Sequence, residues 1–394
     1  MDDMRNSGIF AAIRGTIRKT LKGRILMLRC ASRLALLFWL TPGTLLSANS
    51  SSCVPLESMK ASLLNGPTAA TYSDLGVWFA GQKQYQCAAD AFATSLRMEP
   101  DQKEAGNVAF MFGSSLYLSG DAKGAISAFS EAERRKLRSV KLHLMFAAAY
   151  DQLGWIGSAE SEWRAALAQD WESSEALDGL SNDLIVDNDY AATIALLENP
   201  MISGQRTAEQ SLNLGLAYAK MAKLEEAVKA LRDGLNTSPD SLPLANELAD
   251  LLVELGRSQE AITVLDLELA QHPGDPDTGF HYLQMLIGID PGKAKEAGRR
   301  LLLAAPASWK LLYLNGVLEM QDGKLQQARD HLEKSVTLHP EFALSHDALG
   351  VVLAQLNDMR GAKEQLEKAI ALGDDDAEVK DNLSRVLRVL GEAQ

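Results

Sequence analysis

The sequence predicts an all-α fold, an α-solenoid of about nine helix-turn-helix units closed by a C-terminal capping helix. Three observations lead there. A small residue recurs about every 34 positions, each interval holds two apolar stripes at helical spacing, and Gly, Asn or Pro stands where helices must end. The chain has 394 residues, 46% hydrophobic and 23% charged, a composition typical of folded proteins and a length beyond one ordinary core. Three cysteines exclude a disulfide-dense scaffold and multi-cysteine zinc frameworks. The net charge of −13 is opposite in sign to the working face of a general nucleic-acid binder.

The first element is a segment of different character. Residues 1–50 hold eight basic residues (Arg5, Arg14, Arg18, Lys19, Lys22, Arg24, Arg29 and Arg33) against Asp2 and Asp3, so this part is +6 and the remainder −19. The apolar block LALLFWLTPGTLL at 34–46 and the small polar run SANSSS follow. A basic start, a short apolar block and small residues are the parts of a secretory signal peptide, with cleavage expected before Ser51. Met27 is an alternative start that would give a signal of ordinary length. The competing reading is an anchor at 34–46, but thirteen residues broken by Pro42 and Gly43 fall short of the roughly 20 needed to span a bilayer. The chain is thus expected to be exported, periplasmic or secreted, and membrane contact is expected only through this segment. A lipid anchor at Cys53 lacks the aliphatic residue expected three positions earlier.

Residues 51–68 lead into the repeats, and PLESMKASLL at 55–64 reads as a helix covering the first unit. The repeats occupy residues 69–376. Their small anchors are Ala88, Ala125, Ala159, Thr193, Ala227, Ala261, Ala294, Ala328 and Ala362, separated by 37, 34, 34, 34, 34, 33, 34 and 34 residues. Four residues later stands Phe92, Phe129, Trp163, Leu197, Leu231, Leu265, Leu332 or Leu366. Twelve later, Pro100, Pro239, Pro273, Pro306 and Pro340 close the unit, because proline ends a helix. Leu75-Gly76, Phe112-Gly113, Leu214-Gly215 and Leu349-Gly350 precede their anchors by thirteen and twelve. Gly120, Gly154, Gly256 and Gly323, with Asn188 and Asn357, stand five before and mark the turn, since Gly and Asn enter the left-handed region cheaply. The small anchor lets the second helix approach the first, and the large residue one turn on fills the space beside it. Residues 377–390, AEVKDNLSRVLRVL, read as an amphipathic cap with Lys380, Asp381, Arg385 and Arg388 outward, and 391–394 as a tail.

This unit resembles the tetratricopeptide repeat family, whose motif is a 34-residue helix-turn-helix. The resemblance covers about residues 69–376 and implies a right-handed solenoid whose concave groove is lined chiefly by first-helix residues. Several units depart from the pattern. Asn315 replaces the apolar residue before Gly316; Ala147 and Trp171 replace Gly and Pro in the Ala159 unit. Thr193 replaces a small anchor and its second helix is expected to stop at Asn199-Pro200, while GIDPGKAKEAG blurs the register so that Ala297 competes with Ala294.

No standard catalytic spacing is present: no GxxxxGK[ST], GxSxG, HExxH or CxxC. The chain is therefore expected not to be an enzyme and to need no cofactor or metal. His272 and His339 precede closing prolines, where a helix C-terminus favours histidine. Arg134, Arg135, Lys136 and Arg138 form a compact basic patch, read as a solvated helix end, and Asp374–Asp376 as charge at a helix N-terminus. Cys53 and Cys87 either pair, if exported, or Cys87 serves as a small buried apolar residue beside Ala88.

The expected function is a non-catalytic scaffold or adaptor that binds another protein. An envelope assembly or maturation factor held by its N-terminus is the alternative, and an enzyme or carbohydrate-binding module without a motif is a remote one. The resemblance places Phe110, Met111, Tyr117, Leu118, Leu144 and Met145 on the N-terminal third of the groove. Glu175, Asp178, Glu209, Glu247, Asp250 and Glu254 line its middle, and Phe280, Tyr313, Leu314 and Met320 lie toward its C-terminal end. Asn213 and Lys220 match part of the family's carboxylate clamp, but Glu247 and Glu254 in the next unit would repel a carboxylate. Apolar anchors around acidic residues suit a basic, amphipathic peptide.

Overall fold

The structure, a computed structural model, describes residues 53–200 and 206–392. Among the described residues there are twenty α-helices and no strand. A leading helix, α1 (Glu57–Leu64), precedes the pairs α2 (Ala69–Gly81) with α3 (Tyr85–Met98) and α4 (Ala105–Ser119) with α5 (Ala122–Arg134). Next come α6 (Val140–Gln152) with α7 (Ile156–Gln169), α8 (Ser174–Val186) with α9 (Tyr190–Leu197), and α10 (Ala208–Lys220) with α11 (Leu224–Thr237). Then follow α12 (Leu242–Glu254) with α13 (Ser258–Gln271) and α14 (Pro276–Ile289) with α15 (Pro291–Ala304). The last pairs are α16 (Trp309–Gln321) with α17 (Leu325–Leu338) and α18 (Ala343–Gln355) with α19 (Met359–Ala371), before α20 (Ala377–Leu390). The described residues up to Thr237 gather into one unit, comprising α1 and five helix pairs; those from Ser238 gather into another, comprising four pairs and α20.

The periodic residues have one job each. All nine anchors, Thr193 included, are fully buried at 0% exposure. The large residue one turn later meets the glycine of the first helix: a Cβ on Gly76 would lie 2.6 Å from the Phe92 ring, and one on Gly113 2.5 Å from Phe129. Gly215 stands in the same relation to Leu231, Gly316 to Leu332 and Gly350 to Leu366. Each glycine is thus a close approach filled by its partner's side chain, where any larger residue must displace a ring or a leucine.

Six of the turn residues, Gly120, Gly154, Asn188, Gly256, Gly323 and Asn357, have φ between 62° and 96°. The equivalent positions in the Ala88 and Ala227 units are Lys83 and Ala222, also left-handed with φ of 58°. A Cβ in that region is crowded against its own carbonyl. Ala222→Gly is therefore expected to raise stability by about 1 kcal/mol, the gain in strain exceeding the added chain entropy, as read by urea unfolding. No gain would mean the turn tolerates the side chain.

The irregular units explain one another. Ala147 occupies a glycine position, and Trp163 instead packs over Gly179 of the next pair, where a Cβ would lie 2.4 Å from the indole. The Ala294 unit has Gly298 where a large residue belongs, and the buried Asn315 donates to Gly298 O (3.2 Å) and Leu311 O (2.9 Å) across that gap. Its helices α14 and α15 are joined through Asp290 alone, whose carboxylate accepts from Lys293 N. Thr193 keeps its hydroxyl satisfied by donating to Asp189 O (3.0 Å), and α9 ends at Leu197, whose carbonyl accepts from Arg206.

The ends are covered. Met59 and Leu63 of α1 pack on the cluster of Leu75, Phe79 and Phe92, and Cys53 is disulfide-bonded to Cys87. Of the two readings of these cysteines, the structure takes the paired one, and the buried Cys87 is also part of the core. Helix α20 buries Val379 and Val386 and exposes Lys380, Asp381, Arg385 and Arg388. The signal or anchor segment, residues 1–50, lies outside the described residues, among which no helix is long and apolar enough to cross a membrane.

Candidate functional site

The first helices of successive pairs carry the residues of the expected groove, and the structure sorts them. Glu175, Glu209, Lys220, Glu254 and Leu118 are exposed; Phe110, Met111, Tyr117, Met145, Asp178, Glu247, Asp250 and Phe280 are half-buried. Five are buried and are corrected to packing residues: Leu144, Asn213, Tyr313, Leu314 and Met320. Leu144 belongs to the cluster of Ala147, Ala159 and Trp163. Asn213 donates to Ser181 Oγ (3.0 Å), so it is not a free clamp residue. Tyr313 stacks edge-on against Phe342. Asn213 and Tyr313 are met by side chains of the adjoining pair, so a first-helix position can be closed by its neighbour.

In the unit ending at Thr237, the acidic positions reach one another across helices. The Tyr117 hydroxyl on α4 is pushed up by burial and then by the charges of Asp151 on α6 and Glu175 on α8. Burial and then Asp178 on α8 raise the Glu209 carboxyl on α10. Asp178 itself accepts from Thr207 Oγ1 (2.8 Å) and Gln210 Nε2 (2.7 Å). Three consecutive first helices, α6, α8 and α10, therefore carry the acids, with Tyr117 and Leu118 of α4 beside them.

In the other unit, His281 Nε2 lies 2.6 Å from Asp250 Oδ1, and Asn246 donates to Thr278 Oγ1 (3.0 Å). Burial pushes the Asp347 carboxyl to about 7, with Asp374, Glu378 and Asp376 adding to the effect. Burial also raises Tyr313, with Asp347 and Asp374 behind it. This acidic group lies on α18 and the start of α20.

Sequence reasoning missed Asp151, Asp183 and Asp347. Two were within its reach: Asp151 occupies the same register in its unit as Tyr117, and Asp347 the same as Phe110 and Tyr313. Asp183 had no such signal, because its burial depends on where Trp163 turns.

The remaining singled-out groups are structural. His272 and His339 cap α13 and α17. Arg134 and Arg135 pair with Glu131, and Arg138 lies 3.8 Å from Glu133, so the basic patch is tied to its own helix end. Asp376 caps α20 by accepting from Glu378 N. Among the described residues no group of His, Cys, Asp and Glu is arranged to hold a metal.

Residues 218–278 match the model of the tetratricopeptide repeat family. No curated protein matches the chain. Among solved structures the chain is similar to MamA, residue 41 to the end, from Desulfovibrio magneticus RS-1, at 24% identity and a TM-score of 0.36, over 43% of this chain and 97% of that one. It is similar to a chain of the APC/C hetero-tetramer Cut9–Hcn1 at 14% identity and a TM-score of 0.42, over 82% and 70%. A tetratricopeptide repeat protein from Parabacteroides merdae ATCC 43184 aligns at 15% identity and a TM-score of 0.34, over 81% and 98%. The matched stretch, which runs from the end of α10 into α14, thus consists of tetratricopeptide repeats, and the same anchor, close-approach glycine and left-handed turn recur on both sides of it.

Proposed function

We propose that this protein is a non-catalytic, exported adaptor that binds a basic, amphipathic segment of another protein along its first helices. The observation that carries this reading is the run of acids on α6, α8 and α10, where Asp151 and Glu175 act on the Tyr117 hydroxyl of α4 and Asp178 acts on Glu209. A carboxylate among carboxylates is stabilised by an incoming cation, and Tyr117 with Leu118 offers apolar contact beside it. Repeats contact only their neighbours, which leaves such a face free to vary with the partner. Two features support export: the signal-like order of residues 1–50, and a Cys53–Cys87 bond of the kind that persists in oxidising compartments.

The test uses a Lys-rich amphipathic helical peptide and its Glu-for-Lys counterpart as probes, with affinity measured by fluorescence anisotropy at several salt concentrations. Only the Lys-rich probe is expected to bind, more weakly as salt rises. Glu175→Lys and Glu209→Lys, both at exposed positions, should each weaken it by about 2- to 5-fold, the size of an exposed charge interaction. Tyr117→Ala should weaken it without changing the salt dependence. Affinity indifferent to salt and to both reversals would move the search to the second-helix face and the loops.

A further inference from the structure

Asp183 on α8 is 2% exposed, yet its closest polar companions are another acid and an indole. Its carboxyl is hydrogen-bonded to that of Asp151 on α6, and Trp163 on α7 donates Nε1–H to its Oδ2 at 3.2 Å. Three helices from two successive pairs thus meet at one carboxyl. A carboxyl–carboxylate contact holds together only while one proton is shared, because two buried negative charges repel strongly at low local dielectric. We propose that the Asp151–Asp183 pair is a proton lock: one shared proton closes the joint between the α6–α7 and α8–α9 pairs, and its loss loosens that joint locally.

The surroundings favour the protonated state. Glu160 on α7 adds negative charge, although Arg164 meets it at 3.2 Å. Tyr117 on α4 lies beside Asp151 and Glu175. From α10, Gln210 and Asn213 contact α8 as neutral groups, and Glu209 adds charge near Asp178. Only the indole N–H favours the ionised form. Burial first, then Asp151, hold the Asp183 carboxyl at about 8. An unfolded Asp ionises near 4, so the folded state keeps a proton that the unfolded state releases. The pair's contribution to stability is therefore full below about pH 4 and lost as pH rises through about 8. The proposal shares Asp151 with the groove reading, but its tests read the chain's own joint with no peptide present, so either can fail without the other.

The Trp163 indole N–H reports the lock directly. In the full-length chain, labelled with 15N at tryptophan and assigned through Trp163→Phe, its Nε1–H resonance should titrate once, near pH 8. Asp183→Asn, nearly isosteric, should abolish the titration, and Asp151→Asn should move it to lower pH by removing the like charge. Hydrogen-exchange protection of α6 to α8, corrected for intrinsic rates and referred to α18, should fall about tenfold across the same range in the wild type and stay level in Asp183→Asn. A resonance that does not titrate, or that titrates alike in Asp183→Asn, overturns the shared proton. Titration without loss of protection overturns the lock. If Asp183→Asn does not fold, Asp151→Asn decides, an unmoved inflection counting against the proposal.

Discussion

Phe129→Ala is expected to lower stability by about 3–5 kcal/mol, the cost of emptying a fully buried aromatic site. The ring is 0% exposed and lies 6.0 Å from the Phe110 ring and 5.7 Å from the Phe146 ring, so it joins α5 to both α4 and α6. It also sits where a Cβ on Gly113 would go. Gly113→Ala alone should cost about 1–3 kcal/mol by overpacking. In the Phe129→Ala background the same change should cost little, because the added methyl enters the vacated space. Urea unfolding of the four proteins measures the coupling. Because helix pairs are stabilised by their neighbours, the loss should show first as an early transition in α4 to α6 rather than uniform weakening. Additive costs would mean that Gly113 is required for some reason other than the ring.

Breaking the Cys53–Cys87 bond should cost about 2–4 kcal/mol on a chain-entropy account, given the 34-residue separation it closes. Cys53 is exposed and Cys87 is 5% exposed, so the two positions separate the cross-link from the packing. Cys53→Ser removes only the bond and should match the wild type under reducing agent. Cys87→Ser should cost more, since it also leaves a hydroxyl beside Ala88 in the core. Thermal melts with and without reductant check both, and hydrogen exchange should show α1 losing protection first. Equal melting of the reduced, oxidised and Cys53→Ser forms would show that the bond has no part in stability.

The repeat itself was legible in the sequence because its physics is local. A helix pair must place a small residue where two backbones approach, a large one beside it, and a residue tolerant of positive φ at the turn. These demands recur every 34 positions whatever the partner, which is why all nine anchors found by spacing are fully covered. The two ends were legible for the same reason, as amphipathic helices with one apolar side.

The candidate surface was only partly legible. Register along a first helix indicates the direction a residue faces, and Tyr117, Glu175 and Glu209, picked by that register, are half-buried or exposed. Whether that residue is accessible depends on what packs over it, and Leu144, Asn213, Tyr313, Leu314 and Met320 proved buried.

What the sequence alone determined is the architecture: how many helix pairs, where six of them turn, and which small and large residues sit between them. Those follow from contacts within one 34-residue unit. Tertiary structure alone decided the exceptions and the electrostatics. Trp163 turns toward Gly179 because Ala147 closes the usual space, and in doing so it brings Asp183 under cover beside Asp151. Asn315 bridges to Gly298 across a gap that neither unit reveals by itself. Each depends on two units at once, and a side chain's burial, charge state and partner are properties of the contact between repeats rather than of either repeat's own sequence.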